Sequence, residues 1–217
     1  MLILSDIHYP IGNLRTIQKT IEREKPSTLV LLGDNIELSM FNDHFKAYHE
    51  FFSGLDSIFP IKRSIIMLGD NDYQYASDFR VSEVVKSYSP INFRGYGFKF
   101  FSIGNMNFFH GNLEKNEFIE KIGYIYVKTV NRINYEIAPK MLAIMSRLYF
   151  GVKNSDYMFL GHLHYLGISK NNVFCGTLNH KFMPFPNSLG YVTLRHKNFN
   201  VVPGSIKITH LTLNKPA

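Results

Sequence analysis

Five short polar clusters, rich in aspartate, histidine and glycine, follow one another along this chain of 217 residues. Aspartate and histidine are ligands for borderline-hard divalent cations, and one carboxylate can bind two such cations through its two oxygens. Two cations about 3.5–4 Å apart can contact one phosphate group together. The clusters therefore indicate a dinuclear metal centre. They are Asp6-Ile7-His8, Gly33-Asp34-Asn35, Gly69-Asp70-Asn71-Asp72, His110-Gly111 and Gly161-His162-Leu163-His164.

Each cluster directly follows a short apolar run that is typical of a β-strand. Open α/β sheets gather their binding sites at strand ends, so we expect the clusters to lie there. Any one of them alone has a structural explanation, since Gly-Asp often marks a turn and a single histidine is often structural. Their order and shared context favour a functional interpretation. The runs are Leu2–Ser5, Thr28–Leu32, Ser64–Leu68, Met106–Phe109 and Tyr157–Leu160.

Helical periodicity separates the first three runs. Leu14, Ile17 and Ile21 recur at helical spacing, and Asn13 is in the position of a cap. A second amphipathic helix is predicted over Phe41–Leu55. Strand-helix-strand connections are right-handed and make the strands parallel, so the first three clusters should face the same edge of one sheet.

The second half of the chain has apolar runs separated by glycine and asparagine, which predicts strands joined by tight turns. A parallel first half and an antiparallel second half suggest two sheets packed face to face, with helices outside. Histidines of the second half would then complete a site begun by aspartates of the first. The predicted strands lie within Ile91–His110 and at Tyr165–Ser169, Val173–Cys175, Tyr191–Arg195, Val201–Val202 and Ile206–Leu213.

The composition fits a single domain over residues 1–217. A formal net charge of +7 and a pI near 9.3 favour an anionic partner, but the basic residues are scattered. This pattern suits a small phosphorylated substrate better than a long nucleic acid. The first strand begins at Leu2 and no apolar run has membrane-spanning length, so we expect a cytoplasmic protein. The single cysteine, Cys175, lies in an apolar run and should be a core residue.

The order D-x-H, G-D, G-N-H-[DE], H and G-H-x-H makes the chain resemble the calcineurin-like metallophosphoesterases between Asp6 and His164. The resemblance implies a four-layer αββα sandwich and two divalent cations, with manganese favoured over iron, zinc, magnesium or nickel. It also implies that Asp34 bridges the two cations. The other ligands implied are Asp6, His8 and His164 for the first metal, and Asp70, His110 and His162 for the second.

The third cluster departs from the family pattern. An ungapped match puts Asp70 at the metal-binding asparagine and Asn71 at the catalytic histidine. A carboxylate oxygen is at least as good a hard ligand as an amide oxygen, so Asp70 can still bind a cation. A slipped register, with Asn71 as the ligand, is the alternative. Asn71 has no proton to donate, and we expect it to hydrogen-bond the substrate phosphate or the leaving oxygen.

These features predict hydrolysis of a phosphodiester or pyrophosphate bond by metal-activated water, because a nucleotide phosphate or an aryl oxide needs less protonation on leaving than a simple alkoxide. A nucleotide-linked or lipid-linked diphosphate would suit the site. One alternative is a nuclease of the DNA-repair type, which the lack of an appended capping domain and of a concentrated basic stripe disfavours. Another is a catalytically weak metal-binding scaffold protein, which would have no need of both metals.

A long insert at about residues 112–150 mixes apolar and basic residues and predicts two helices, broken near Ala138-Pro139. In the UDP-diacylglucosamine hydrolases, which the chain resembles in this respect, the insert caps the site and receives an acyl chain. The alternative is that the helices only pad the sandwich. A basic amphipathic pair is also compatible with peripheral contact with a membrane surface, without insertion.

Five histidines fall outside the clusters, and we expect them on the surface. His180 is the one whose loop is close in sequence to the metal strand ends. The others are His44, His49, His196 and His210.

Overall fold

The computed structural model describes residues 1–60, 63–72, 100–111, 125–130, 133–185 and 188–194, together with the backbone of residues 206–209. The helices are α1 (Leu14–Glu24), α2 (His44–Ile58) and α3 (Ile137–Phe150), and residues 125–130 are also helical. The strands are β1 (Leu2–Leu4), β2 (Leu29–Leu32), β3 (Ser64–Met67), β4 (Phe100–Ile103), β5 (Met106–Phe109), β6 (Tyr157–Leu160), β7 (Leu166–Ser169), β8 (Asn172–Cys175), β9 (Tyr191–Leu194) and β10 (Ile206–Thr209).

The strands form two mixed sheets. The first has the order β10-β9-β1-β2-β3, with β1, β2 and β3 parallel as predicted. The second has the order β4-β5-β6-β8-β7, in which β5, β6 and β8 are parallel and the edge strands β4 and β7 are antiparallel. The expectation of an antiparallel second half was wrong for these central strands, because α3 connects β5 to β6 as a crossover. The residues that follow β5 and β6 therefore leave the sheet at the same edge.

Apolar contacts join the layers. Ile3 and Val30 of the first sheet share a buried cluster with Phe108 and Phe159 of the second, so the two sheets pack face to face. Cys175 lies in the same cluster, fully buried, as expected for a core residue. The outer face of the first sheet packs against α1 and α2, and that of the second against α3. The result is the four-layer αββα sandwich that the sequence predicted.

The two helices beside the first sheet begin at side-chain caps. The side chain of Asn13 accepts a backbone N–H of the first turn of α1 at 2.9 Å, as predicted. Helix α2 begins at His44 rather than at Phe41, because Asp43 caps it in the same way at 3.0 Å. A 3₁₀ turn at Leu38–Met40 occupies the residues before that cap.

Helix α3 covers the outer face of the second sheet. It begins at Ile137, so Pro139 lies in the first turn, where its missing N–H needs no partner. The predicted helix break therefore lies before Ile137, at residues 133–136, rather than at Ala138-Pro139. Residues 112–124 and 131–132 of the insert lie outside the described residues, so the cap and the padding interpretations both stay predictions.

Some predicted features lie outside the described residues. These are the strands expected at residues 91–99, 201–202 and 210–213, and the surface positions of His196 and His210. Among the described helices, none combines the length and the apolar character needed to cross a membrane.

Replacing Asn13 by alanine should lower the free energy of unfolding by about 1 kcal/mol, because the first turn of α1 loses its side-chain acceptor. Urea unfolding followed by circular dichroism measures the change. Asn154→Ala, at an exposed position in the turn after α3, is the matched control. Equal stability of the Asn13 variant and the wild type would contradict the capping role.

Candidate metal centre

The structure brings the seven predicted metal ligands together in two groups. Within each group, the ligand atoms all lie within 4.8 Å of one another. Asp34 belongs to the second group and also lies close to the first: its Oδ2 is 3.4 Å from Nε2 of His110 and 3.8 Å from Nε2 of His8. This is the position that a carboxylate shared by two cations requires. The first group is Asp6, His8 and His164, and the second is Asp34, Asp70, His110 and His162.

The backbone at these residues is strained. Left-handed φ angles are uncommon for residues other than glycine, cost on the order of 1–3 kcal/mol each, and cluster at functional sites. Backbone hydrogen bonds between the turns after β1 and β2, such as His8 N–H to the Asp34 carbonyl at 2.9 Å, hold this conformation. Five of the seven predicted ligands have positive φ: Asp6 (50°), His8 (49°), Asp34 (49°), His162 (66°) and His164 (53°).

Gly69 allows the end of β3 to approach the end of β2. A Cβ atom at this position would lie 2.1 Å from Oδ1 of Asp34 and 2.7 Å from Nε2 of His110. Both distances are far shorter than van der Waals contact. The space needed by the ligands themselves therefore explains why glycine precedes Asp70.

Three of the site histidines have one ring nitrogen fixed by a protein partner. Nδ1 of His8 lies 2.9 Å from the Glu37 carboxylate, and Nδ1 of His110 lies 2.7 Å from the Leu32 carbonyl. Nδ1 of His164 lies 2.9 Å from the Phe182 carbonyl, which completes the pattern. With Nδ1 as the donor, Nε2 is the nitrogen available to a metal, and its orientation is set in advance. Sequence analysis missed the partner Glu37, because nothing in the polar clusters pointed to it.

Two buried ligand atoms of the first group lack a hydrogen-bond partner. Among the described residues, these atoms are Oδ1 of Asp6 and Nε2 of His8. A buried polar atom without a hydrogen-bond partner is costly and rare in folded proteins. The other oxygen of Asp6 accepts from the Ser5 hydroxyl at 2.5 Å and from the His162 N–H at 2.9 Å. One carboxylate oxygen is thus held by the protein while the other is left for a cation. A divalent metal fits this donor set.

Ionised carboxylates in the site lie beside imidazoles that bind protons readily. Burial would raise the pKa of Asp6, but the imidazole of His164 beside it outweighs burial and lowers the pKa. Burial also opposes ionisation of Asp70, yet hydrogen bonds to His110 and His162 hold its pKa low. The pKa of His162 is raised, because the hydrogen bond and charge of Asp70 outweigh the effect of burial. Cation binding therefore competes with protons for these imidazoles.

Asp72 is a fully buried carboxylate that was not predicted as a site residue. It accepts backbone N–H groups of Asn35 at 2.9 Å, Ile36 at 3.2 Å and Gly69 at 3.1 Å. Burial, followed by the charge of Asp34, raises the pKa of Asp72 to about 7. The side chain joins the turns after β2 and β3 and so positions Asp34. Its place at the end of the third cluster was the one sequence signal for this role.

In the third cluster, Asp70 rather than Asn71 lies against the histidines. Oδ1 of Asp70 is 3.1 Å from Nε2 of His110 and 3.0 Å from Nδ1 of His162, as the ungapped match predicts for a ligand. Asn71 donates to the two oxygens of Asp34, from its backbone N–H at 3.0 Å and from Nδ2 at 3.1 Å. A catalytic role for Asn71 stays a prediction.

The remaining described histidines lie apart from both ligand groups. His44 and His49 belong to α2, where His44 is partly buried and His49 is exposed. His180 is exposed, in the loop that follows β8.

Comparisons with known proteins agree with the fold. The family model described as calcineurin-like phosphoesterase matches residues 1–166. Among solved structures, the chain is similar to one described as a novel archaeal phosphodiesterase, at 16% identity and a TM-score of 0.54, covering 97% of this chain and 98% of that chain. It is also similar to YfcE, a phosphoesterase from E. coli, at 15% identity and a TM-score of 0.44, covering 82% of this chain and 79% of that chain. No curated protein matches the sequence.

Replacing Asp72 by asparagine should lower the metal content, because the new NH₂ group faces buried N–H donors, leaves one without an acceptor and withdraws support from Asp34. Elemental analysis after dialysis against manganese measures the effect, and circular dichroism checks that the variant is folded. Asp56→Asn, at an exposed position of α2, is the matched control. An unchanged Asp72 variant would contradict the positioning role.

Proposed function

Because this chain belongs to the calcineurin-like phosphoesterases, we propose that it hydrolyses phosphodiester or pyrophosphate bonds with two divalent cations. The supporting observation is the position of Asp34, whose Oδ2 lies 3.4 Å from a nitrogen of one ligand group and 3.8 Å from a nitrogen of the other. A single cation would not need a carboxylate between two sets of ligands. This arrangement suits two cations that act together on one phosphate.

In this proposal each ligand group holds one cation, and Asp34 contacts both. When bound, the two cations supply Lewis acidity at the phosphoryl oxygens and bring the pKa of a water near neutrality. The protein side chains are oriented beforehand, since Nδ1 of His8 and one oxygen of Asp6 already have protein partners. Manganese is the first cation to test, followed by iron, zinc, magnesium and nickel.

Asn71 determines which leaving groups the site handles well. Its Nδ2 lies 3.1 Å from Oδ2 of Asp34, so the amide is beside the carboxylate that both cations share. An amide donates hydrogen bonds but has no acidic proton to transfer. Asn71 can hold a phosphoryl or leaving oxygen, and it cannot protonate one. Esters and anhydrides whose leaving groups are stable anions are therefore the proposed substrates.

The substrate screen follows from this limit. The archaeal structural neighbour is described as a phosphodiesterase, which makes diesters the first class to assay. Nucleotide pyrophosphates come second, and alkyl phosphomonoesters serve as the poor-substrate reference. Bound metal without turnover on any class would favour the scaffold alternative.

Replacing Asp34 by asparagine should remove most of the bound metal and nearly all hydrolysis, because both cations lose a ligand. Elemental analysis and hydrolysis of bis(p-nitrophenyl) phosphate measure the two effects. Asp70→Asn is the matched comparison, since the Asp70 carboxylate lies against two histidines of the second group and its loss should affect mainly one cation. Two retained metals with near-normal turnover in the Asp34 variant would refute the shared-ligand assignment.

Replacing Asn71 by histidine should raise activity on alkyl phosphomonoesters by about 10²–10⁴-fold, because a general acid helps most where protonation limits the rate. The dependence of the rate on leaving-group pKa should become flatter. A series of aryl and alkyl esters measures it, with Asn71→Ala as a control that supplies no proton. Wild-type protein that cleaves alkyl monoesters as readily as aryl diesters would show that the missing acid does not limit this site.

A further inference from the structure

The loop of residues 177–185, here called the recognition loop, is attached directly to the candidate metal centre. The Thr177 hydroxyl donates to the backbone carbonyl of Asp6 at 2.7 Å, and this bond is buried. Five residues later, the Phe182 carbonyl lies 2.9 Å from Nδ1 of His164. Asp6 and His164 belong to the same ligand group, so both contacts join the loop to the first cation position.

Hydrogen bonds within the recognition loop fix the conformation of its tip. The buried side chain of Asn179 accepts the backbone N–H of Lys181 at 3.0 Å and that of Phe182 at 3.3 Å. At the far end, the Ser188 hydroxyl bonds to both the N–H and the carbonyl of Phe185, at 3.0 and 2.9 Å. Asparagine side chains that bond to the following backbone stabilise turns of this kind. The tip therefore has a defined shape before a substrate binds.

The tip carries four exposed residues in a row, His180 to Met183. Phe182 is 48% exposed and Met183 is 51% exposed. The Phe182 ring is in edge contact with the His164 imidazole, with the two ring centroids 5.2 Å apart. Within the part of the chain that the structure describes, Lys181 forms no ion pair. An exposed aromatic ring is thus held beside the predicted metal ligand His164, and the exposed Lys181 precedes it in the chain.

Single exposed apolar residues are common and need no explanation. Phe182 differs from them, because its own carbonyl fixes the orientation of His164 and its ring touches that imidazole. A phosphate on the first cation would bring its attached organic group next to this ring. Aromatic side chains in such positions stack on planar groups, and a neighbouring lysine adds attraction for phosphate oxygens.

We propose that the recognition loop selects substrates in which a nucleoside is attached to the scissile phosphate. Phe182 stacks on the base, and Lys181 attracts the phosphate. The inference deepens the proposed function and rests on it. The half-exposed Phe182 ring offers a flat apolar face, which matches a planar base better than a long acyl chain.

The test compares two esters that share one leaving group. Thymidine 5′-(p-nitrophenyl phosphate) and methyl p-nitrophenyl phosphate both release p-nitrophenolate when water attacks phosphorus and the aryl P–O bond breaks. With manganese-loaded protein, we expect a higher kcat/KM for the thymidine ester. Phe182→Ala should reduce the ratio of the two kcat/KM values by about tenfold or more, because base stacking is lost. Lys181→Gln should lower kcat/KM for both esters and leave their ratio unchanged.

Tyr149→Ala is the matched control, since Tyr149 is an aromatic residue 66% exposed on α3, outside the site. Its ratio should equal that of the wild type. Elemental analysis of the Phe182 variant separates loss of stacking from loss of metal. A wild-type enzyme without preference for the thymidine ester, or a Phe182 variant with an unchanged ratio and full metal content, would overturn the inference. Failure of the wild type on both esters, with metal bound, would instead count against the proposed function.

Discussion

The rest of the site depends on one constraint: four carboxylates share a largely buried space at the strand ends. Asp6 and Asp72 are fully buried, Asp34 is nearly so, and Asp70 is partly exposed. Like charges repel strongly where water is excluded, and the pKa of Asp72, raised to about 7 by burial and by Asp34, reflects that repulsion. Two divalent cations bound by these residues would offset much of this charge. Because the carboxylates repel one another, the rest of the fold must supply the free energy that holds them together.

In the sandwich, the apolar core between the sheets stabilises the fold, and the strand ends carry the predicted ligands. The buried apolar cluster between the sheets supplies the core, and within it Phe108 stacks on Phe159 of the neighbouring strand with ring centroids 4.8 Å apart. Because parallel strands of both sheets end at that edge, the residues that follow them meet there. Left-handed turns then direct the ligand side chains toward one another. Backbone hydrogen bonds join neighbouring turns, such as that from the His8 N–H to the Asp34 carbonyl. The strain is acceptable because the core supplies stability independently of it.

Much of this was predictable from the sequence, for physical reasons. Polar clusters after apolar runs identify strand ends, and strand ends converge, so the meeting of the predicted ligands followed from local patterns. The direction of β5, β6 and β8 could not be read in this way, because strand pairing is a tertiary property. Partners distant in sequence, such as Glu37 for His8 and the Phe182 carbonyl for His164, were also beyond reach. Asp72 belongs to one of the polar clusters, but its role could not be predicted, because it depends on backbone N–H groups that the fold brings to it.

The structure also divides the proposed work of the site between two elements. Asn71 touches Asp34, which lies close to both ligand groups, and in the proposed function it acts on the oxygen that leaves. Phe182 touches His164 of the first group, and in the proposed function it contacts the organic group that the phosphate carries. The first belongs to the turn after β3 and the second to the loop after β8, and they contact different ligands. Leaving-group preference and substrate selection can then change independently, because a substitution in one loop leaves the hydrogen bonds of the other intact.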